Sequence, residues 1–281
     1  MTLAELQKNY RDKLSEIYDE REARAITKIV LEKVLELQTH KISLERFRLL
    51  TSHQQDLLNK ILERLFTHEP VQYVLQEADF CGLKFKVNSS VLIPRPETEE
   101  LVEWVASEFR TTDLGFRILD IGSGSGCIPV SLAKRNSNII IEGLDISEDA
   151  LKVAEENSHI HQANVKFKKL DILNENLPDD YYDVIVSNPP YISLSEKNSL
   201  SENVLKYEPH LALFATEDDL IFFKRIANQA AKALKPNGKL FLEINAAKGE
   251  EVKRILAQNN FKNIELRKDM SGKDRMVKGE R

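Results

Sequence analysis

The sequence predicts an α/β protein in which a mostly parallel sheet, closed by an antiparallel strand, follows a small all-helical domain and a β-hairpin linker. Three observations carry that reading. Residues 1–70 contain no glycine and no proline before Pro70, and their apolar residues recur three and four apart. Residues 71–93 include ADFCGLKFKVNSSVLI, where Phe80, Leu83, Phe85 and Val87 alternate around Gly82 and an Asn-Ser-Ser turn, the pattern of a hairpin. Residues 94–281 alternate unbroken Val/Ile/Leu runs with amphipathic helical stretches, as in a parallel sheet buried on both faces.

In the helical domain, Leu3, Leu6, Tyr10, Leu14 and Ile17 form one stripe and Ile26, Ile29, Val30, Val34 and Leu37 a second. Leu57, Leu58, Ile61, Leu62 and Leu65 form a third. Breaks are expected near residues 19–22, 38–43 and 51–53, with Ser43 and Thr51 placed to cap helices. After the linker, IPRPETEELVEWVASEF begins a helix: Pro96 suits its first turn, and Glu97, Glu99 and Glu100 its positive end. FRILDIG, IIIEGLDI, VKFKKLDI, YDVIVSNPPY and GKLFLEI then read as strands. CIPVSLAKRN, SEDALKVAEENSHI, DLIFFKRIANQAAKAL and GEEVKRILAQN read as helices, and FKNIELRKD with DRMVKGE as a closing hairpin.

Composition narrows the function. The 281 residues are 42% hydrophobic and 30% charged, ordinary for a soluble globular protein. A net charge of -5 supplies no global basic field, which weighs against direct nucleic-acid binding. Two cysteines, Cys81 and Cys127, exclude a disulfide framework and a cysteine-rich zinc site, and fit a reducing cytoplasm. The charged start lacks the apolar core of a signal peptide, and no stretch approaches the roughly 18 apolar residues of a membrane helix. A soluble, cytoplasmic protein without a metal is expected.

The first strand of the α/β region ends in Gly122-Ser123-Gly124-Ser125-Gly126. Alternate glycines let a backbone turn sharply and approach a ligand where a Cβ would collide. The dinucleotide fingerprint needs a further glycine where Cys127 stands. The spacing instead resembles motif I of the Rossmann-like methyltransferases, which bind S-adenosylmethionine and release S-adenosylhomocysteine. Asp145, at the end of the next strand, is placed to accept both ribose hydroxyls; its plainer reading is a cap for the helix that follows. Asp171 and Ile172 stand where this fold places an acid and an apolar residue against adenine, and an ordinary surface aspartate is the plainer reading there.

Asn188-Pro189-Pro190-Tyr191 ends the fourth strand. Two prolines remove two N–H donors and fix two φ angles, holding Asn188 and Pro189 extended. The Asn188 side-chain oxygen and the Pro189 carbonyl then form a rigid pair of acceptors. A planar nitrogen carries two N–H bonds and a delocalised lone pair. Two acceptors gripping those bonds aim the lone pair and stabilise the positive charge that builds during methyl transfer. Tyr191 is placed to pack its ring on the planar group.

Together these residues resemble the HemK/PrmC-type protein-(glutamine-N(5)) methyltransferases of peptide chain release factors. The likeness runs through IPRPETE, ILDIGSGSGCIPVSLA, GLDISEDAL, VIVSNPPYI, YEPHLAL and the closing Asp269-Met270-Ser271-Gly272-Lys273-Asp274-Arg275. It implies a Rossmann-like class I methyltransferase domain behind a helical domain that grips the release factor. It implies methylation of the glutamine in that factor's Gly-Gly-Gln loop, with Gly122 to Gly126, Asp145, Asp171, Ile172 and Asn188 holding the cofactor and Asn188 to Tyr191 presenting the glutamine. The chain departs from the family at Asn245-Ala246-Ala247-Lys248, a segment expected at the far side of the sheet from the chemistry. Arg95, Glu97 and Arg275 receive no role beyond helix start and surface pairing. Two rival substrates use the same tetrapeptide chemistry: a glutamine of a large-subunit ribosomal protein, and a DNA adenine. A non-catalytic cofactor-binding adaptor is a third reading, opposed by the presence of Asn188 and Asp145.

Overall fold

The structure, a computed structural model, describes residues 1–109, 114–215 and 217–281. It divides into two compact units, Met1–Gln76 with Ser201–Tyr207, and Glu77–Leu200 with Glu208–Arg281. The first unit thus runs past residue 70 and takes in a segment from the middle of the chain that no sequence signal marks.

That unit is built from α1 (Leu3–Leu14), α2 (Glu20–Leu35), α3 (Thr39–Leu44), α4 (Ser52–Leu65) and α5 (Val71–Leu75), together with the helical segment Glu202–Tyr207. Leu6, Tyr10, Leu14, Val30, Leu31, Leu58 and Leu65 are fully buried, so most of each predicted stripe faces one core, while Ile29 and Leu57 are exposed. Thr2 and Thr51 each form a capping box, with Glu5 and Gln54. Ser43 caps nothing: it lies inside α3, where the sequence had suggested a break. The Tyr10 hydroxyl donates to the Leu58 carbonyl, and the Tyr207 hydroxyl donates to the Thr67 carbonyl at 2.7 Å.

The second unit opens with a hairpin of β1 (Glu77–Phe80) and β2 (Leu83–Lys86). Its two-residue turn puts Cys81 and Gly82 at φ +49° and +73°, the left-handed pair that matches strand twist. Then come α6 (Pro96–Ala106), β3 (Arg117–Ile121), α7 (Cys127–Arg135), β4 (Ile140–Asp145), α8 (Glu148–Ile160), β5 (Val165–Lys169) and β6 (Tyr182–Ser187). After α9 (Glu202–Tyr207, of the first unit) follow α10 (His210–Leu213), α11 (Ile221–Ala233), β7 (Leu234–Glu243), α12 (Gly249–Gln258), β8 (Lys262–Lys268) and β9 (Asp274–Glu280).

Seven strands form one sheet in the order β5-β4-β3-β6-β7-β9-β8. All neighbours are parallel except β9, which inserts between β7 and β8 and runs antiparallel to both. The closing hairpin is therefore present, with its last strand turned inward against the sheet. The Lys-rich β5 is an edge strand whose Lys166, Lys168 and Lys169 are exposed, a face that resists edge-to-edge pairing. One sequence expectation fails here. β7 pairs directly with β6, so the residues after it are not remote from the tetrapeptide.

The chain turns outward in both directions from β3, to β4 on one side and β6 on the other, and the crevice at such a switch point is where open α/β sheets bind ligands. Asn157, fully buried on α8, fastens the hairpin to this crevice. Its amide accepts from the Lys86 N–H at 2.7 Å and donates to the Lys86 and Ser125 carbonyls, each at 2.9 Å. Asn157→Ala leaves these buried groups without partners, so it should cost ~1–3 kcal/mol in urea unfolding; an unchanged midpoint would show that water replaces the side chain freely.

Candidate active site

The glycine turn is held from across the sheet. Gly122 and Ser123 donate to the Leu144 carbonyl at 2.8 and 2.9 Å, and Gly124 donates to Asp145 Oδ2 at 2.8 Å. Gly122 and Gly124 lie at φ +79° and +53°, and a Cβ on either would point into open space. Asp145 Oδ1 accepts from the Ser147 N–H at 2.9 Å, while the Ser147 hydroxyl caps α8 through Ala150 N–H. The helix cap is thus Ser147, and Asp145 braces the turn. Burial raises the Asp145 carboxyl above its ordinary range against these donors.

Beside the turn lies a cavity of about 210 Å³. Its walls include Gly122, Gly124, Asp145, Asp171, Ile172, Asn188, Pro189 and Pro190, so residues read from four separate strand ends converge. Ser123, Ser125, Gly126 and Tyr191 are not among the walls. Asp171 binds its own turn, accepting from the Leu173 N–H at 2.9 Å and the Asn174 amide at 2.7 Å. Several walls had no role in the sequence reading, chiefly apolar ones: Val91 and Leu92 from the linker, Leu211 and Ala212 from α10, and Phe222 from α11. The YEPHLAL and VLIPR strings carried those signals.

Asp120, the residue before Ile121 on β3, was also passed over. It is fully buried, and neither carboxylate oxygen has a hydrogen-bonding partner among the described residues; the nearby Ser123 hydroxyl donates instead to the Asp120 backbone carbonyl at 3.4 Å. Burial pushes its pKa up to about 7, and Asp145 adds a like charge.

Behind the tetrapeptide sits a second buried acid. Glu243, the last residue of β7, is 1% exposed; it accepts from the Thr98 hydroxyl at 2.6 Å and the Tyr191 hydroxyl at 3.4 Å. Thr98 in turn accepts from the Asn188 amide at 3.3 Å. Burial raises Glu243 to about 7, Thr98 and Arg275 pull it down, and Glu97 adds a like charge. Tyr191 is raised by its burial and by Glu243. Arg95 and Arg275, expected only in surface pairing, are tied to buried acids: Arg95 pairs with Glu208 at 2.6 Å and Arg275 with Asp269 at 3.2 Å. Glu208 also accepts from the Ile93 N–H at 3.3 Å, so the YEPHLAL segment is clasped to the start of α6. The chain after Tyr191 is pinned as well, Ile192 pairing with residues 213 and 215.

Residues 113–276 match the family described as "Methyltransferase domain", and residues 5–75 match "PrmC N-terminal domain". The chain is 42% identical to the release factor glutamine methyltransferase of Flavobacterium psychrophilum, over 96% of this chain and 98% of that one. It is 39% identical to that of Bacteroides thetaiotaomicron, over 96% and 97% respectively. With that of Lactococcus lactis it shares 45% identity over 81% and 83%.

The two buried acids make stability depend on pH with a definite sign. Well below pH 4 they are protonated in both folded and unfolded chains. Between about 4 and 7 the unfolded chain has released these protons while the folded chain keeps them, so stability falls as pH rises through that window. Urea midpoints of the ligand-free protein should drop from pH 5 to pH 8, and Asp120→Asn should recover ~1–3 kcal/mol at pH 8. A variant no more stable than wild type at pH 8 would contradict the buried charge.

Proposed function

The chain belongs to the family of release factor glutamine methyltransferases, and from that premise we propose that it methylates the side-chain amide nitrogen of the glutamine in the Gly-Gly-Gln loop of a peptide chain release factor. The observation that carries the reading is the convergence of the glycine turn, Asp145 and Asn188-Pro189 on one cavity.

The residues present fit S-adenosylmethionine, which supplies an electrophilic methyl group. Gly122 and Gly124 leave room where side chains would intrude, and Asp145 keeps lone pairs for ribose hydroxyls. The orphaned Asp120 carboxylate suits the cofactor's cationic end, since a buried charge calls for an opposite one. Ile172 and the other apolar walls suit the adenine ring.

Asn188 Oδ1 and the Pro189 carbonyl accept the two N–H bonds of the glutamine amide, leaving its lone pair free to attack. The same two dipoles stabilise the charge on nitrogen as the bond forms. The methylated cation is acidic enough to release its proton without a strong base. A glutamate in the same place would set acceptor against acceptor, which gives selectivity for the amide. Tyr191, held through Glu243, flanks the planar group. The helical unit recognises the protein substrate, and a translation factor as substrate places the enzyme in the cytoplasm. No helix among the described residues is long and apolar enough to cross a membrane.

Purified protein with labelled S-adenosylmethionine should label release factor and leave a factor with the loop glutamine replaced unlabelled. Label on the replaced factor, on ribosomal protein alone or on DNA alone would refute the assignment. Asn188→Ala should lower kcat by ~10²–10³-fold with the fold intact. Asp145→Ala should weaken S-adenosylhomocysteine binding roughly 10- to 100-fold by calorimetry.

A further inference from the structure

Asn188 can act as an acceptor only if its amide is turned the right way, and nothing in the tetrapeptide itself decides that. The amide is nearly symmetric in shape, and its NH2 and oxygen occupy similar space. The decision comes from outside. Once ionised, above about pH 7, the Glu243 carboxylate has no proton to give, so the single Thr98 hydroxyl proton goes to it at 2.6 Å. Thr98 Oγ1 is then left with lone pairs only. Whatever Asn188 presents to it at 3.3 Å must be a donor, which is the Nδ2 group. In a planar amide this turns Oδ1 the opposite way. The other Glu243 oxygen accepts from Tyr191, so one buried carboxylate governs two members of the tetrapeptide.

We propose that Thr98 and Glu243 are positioning residues for the methyl transfer: Glu243 polarises the Thr98 hydroxyl, and Thr98 locks the Asn188 amide with its oxygen toward the substrate. The inference rests on the reading of function given above. Three separate elements build the device: Thr98 lies in the first turn of α6, Glu243 at the end of β7 and Asn188 beyond β6. Thr98 and Glu243 are 3% and 1% exposed, so water has no access to substitute for either. This also explains a threonine amid acidic residues in PETEE. An acid in its place would set carboxylate against carboxylate beside Glu243, and an alanine would leave the Asn188 amide free to flip.

The test is a kinetic series on the full chain with release factor as substrate. Thr98→Val keeps the shape and removes the hydroxyl. It should lower kcat by ~10- to 100-fold while KM for the release factor and S-adenosylhomocysteine affinity stay within about threefold. Thr98→Ser, which returns the hydroxyl, should restore most of the lost kcat. Glu243→Gln, whose own amide offers both a donor and an acceptor, should lower kcat, and combining it with Thr98→Val should cost no more than the worse single change. Thermal melts accompany each variant. A Thr98→Val enzyme that melts like wild type and keeps its kcat would overturn the proposal. So would a Thr98→Ser enzyme no faster than Thr98→Val, or fully additive losses in the double variant. A wild-type enzyme that leaves release factor unlabelled instead refutes the reading of function.

Discussion

Three consecutive N–H groups leave the end of β3 and find their acceptors at the end of β4: Gly122 and Ser123 on the Leu144 carbonyl, Gly124 on the Asp145 carboxylate. Most of the site depends on this exchange. It closes a turn that would otherwise present unpaired donors, and it fixes Asp145 before any ligand arrives. It also demands close packing behind the turn. A Cβ at Gly143 would stand 2.6 Å from the Phe167 ring and from the Ser123 hydroxyl, so the middle of β4 must be bare for the turn to settle. The hairpin then locks the arrangement from outside through Asn157, which holds the Ser125 carbonyl and the Lys86 backbone at once. A linker that looks dispensable in sequence is thereby part of the cavity wall.

The parts of this structure legible in the sequence are those set by short-range rules. Periodicity of apolar residues located the helices and the buried strands, since burial on one stripe or on both faces leaves its mark within a few residues. Gly122 and Gly124 were legible because glycine is the residue that most readily takes left-handed φ angles, and Asn188-Pro189-Pro190 because proline restricts its own backbone and its neighbour's. Ser43 misled because a polar residue between two stripes suits a cap as well as the exposed side of a short helix. The position of β7 misled for a different reason. Strand order depends on crossovers that local pattern does not encode, so Asn245 to Lys248 read as remote although they follow a strand that pairs with β6.

Asp120, Thr98 and Glu243 form the other class of misses. Each sits in a string dominated by a stronger signal: ILDIG by its glycine, PETEE by its helix start, LFLEI by its apolar run. A buried acid looks from sequence like any strand-end acid, and only tertiary contacts reveal which one lacks water.

These two buried acids differ in a way that separates their tasks. Asp120 has no hydrogen-bonding partner for either carboxylate oxygen among the described residues, and burial accounts for most of its raised pKa. Such a group destabilises the folded chain when ionised, and it escapes that penalty by keeping its proton or by meeting a cation. Glu243 is equally buried but each of its oxygens accepts a hydroxyl, and Arg275 lies near enough to favour its charge. It needs nothing from a ligand. What it provides once ionised is direction, because a carboxylate that can only accept forces the sense of every hydrogen bond leading away from it. A neutral side chain of the same size would hold the same atoms at the same distances and leave that sense undecided. One acid thus stays unpaired among the described residues, and the other fixes the polarity of an amide that chemistry requires to point one way.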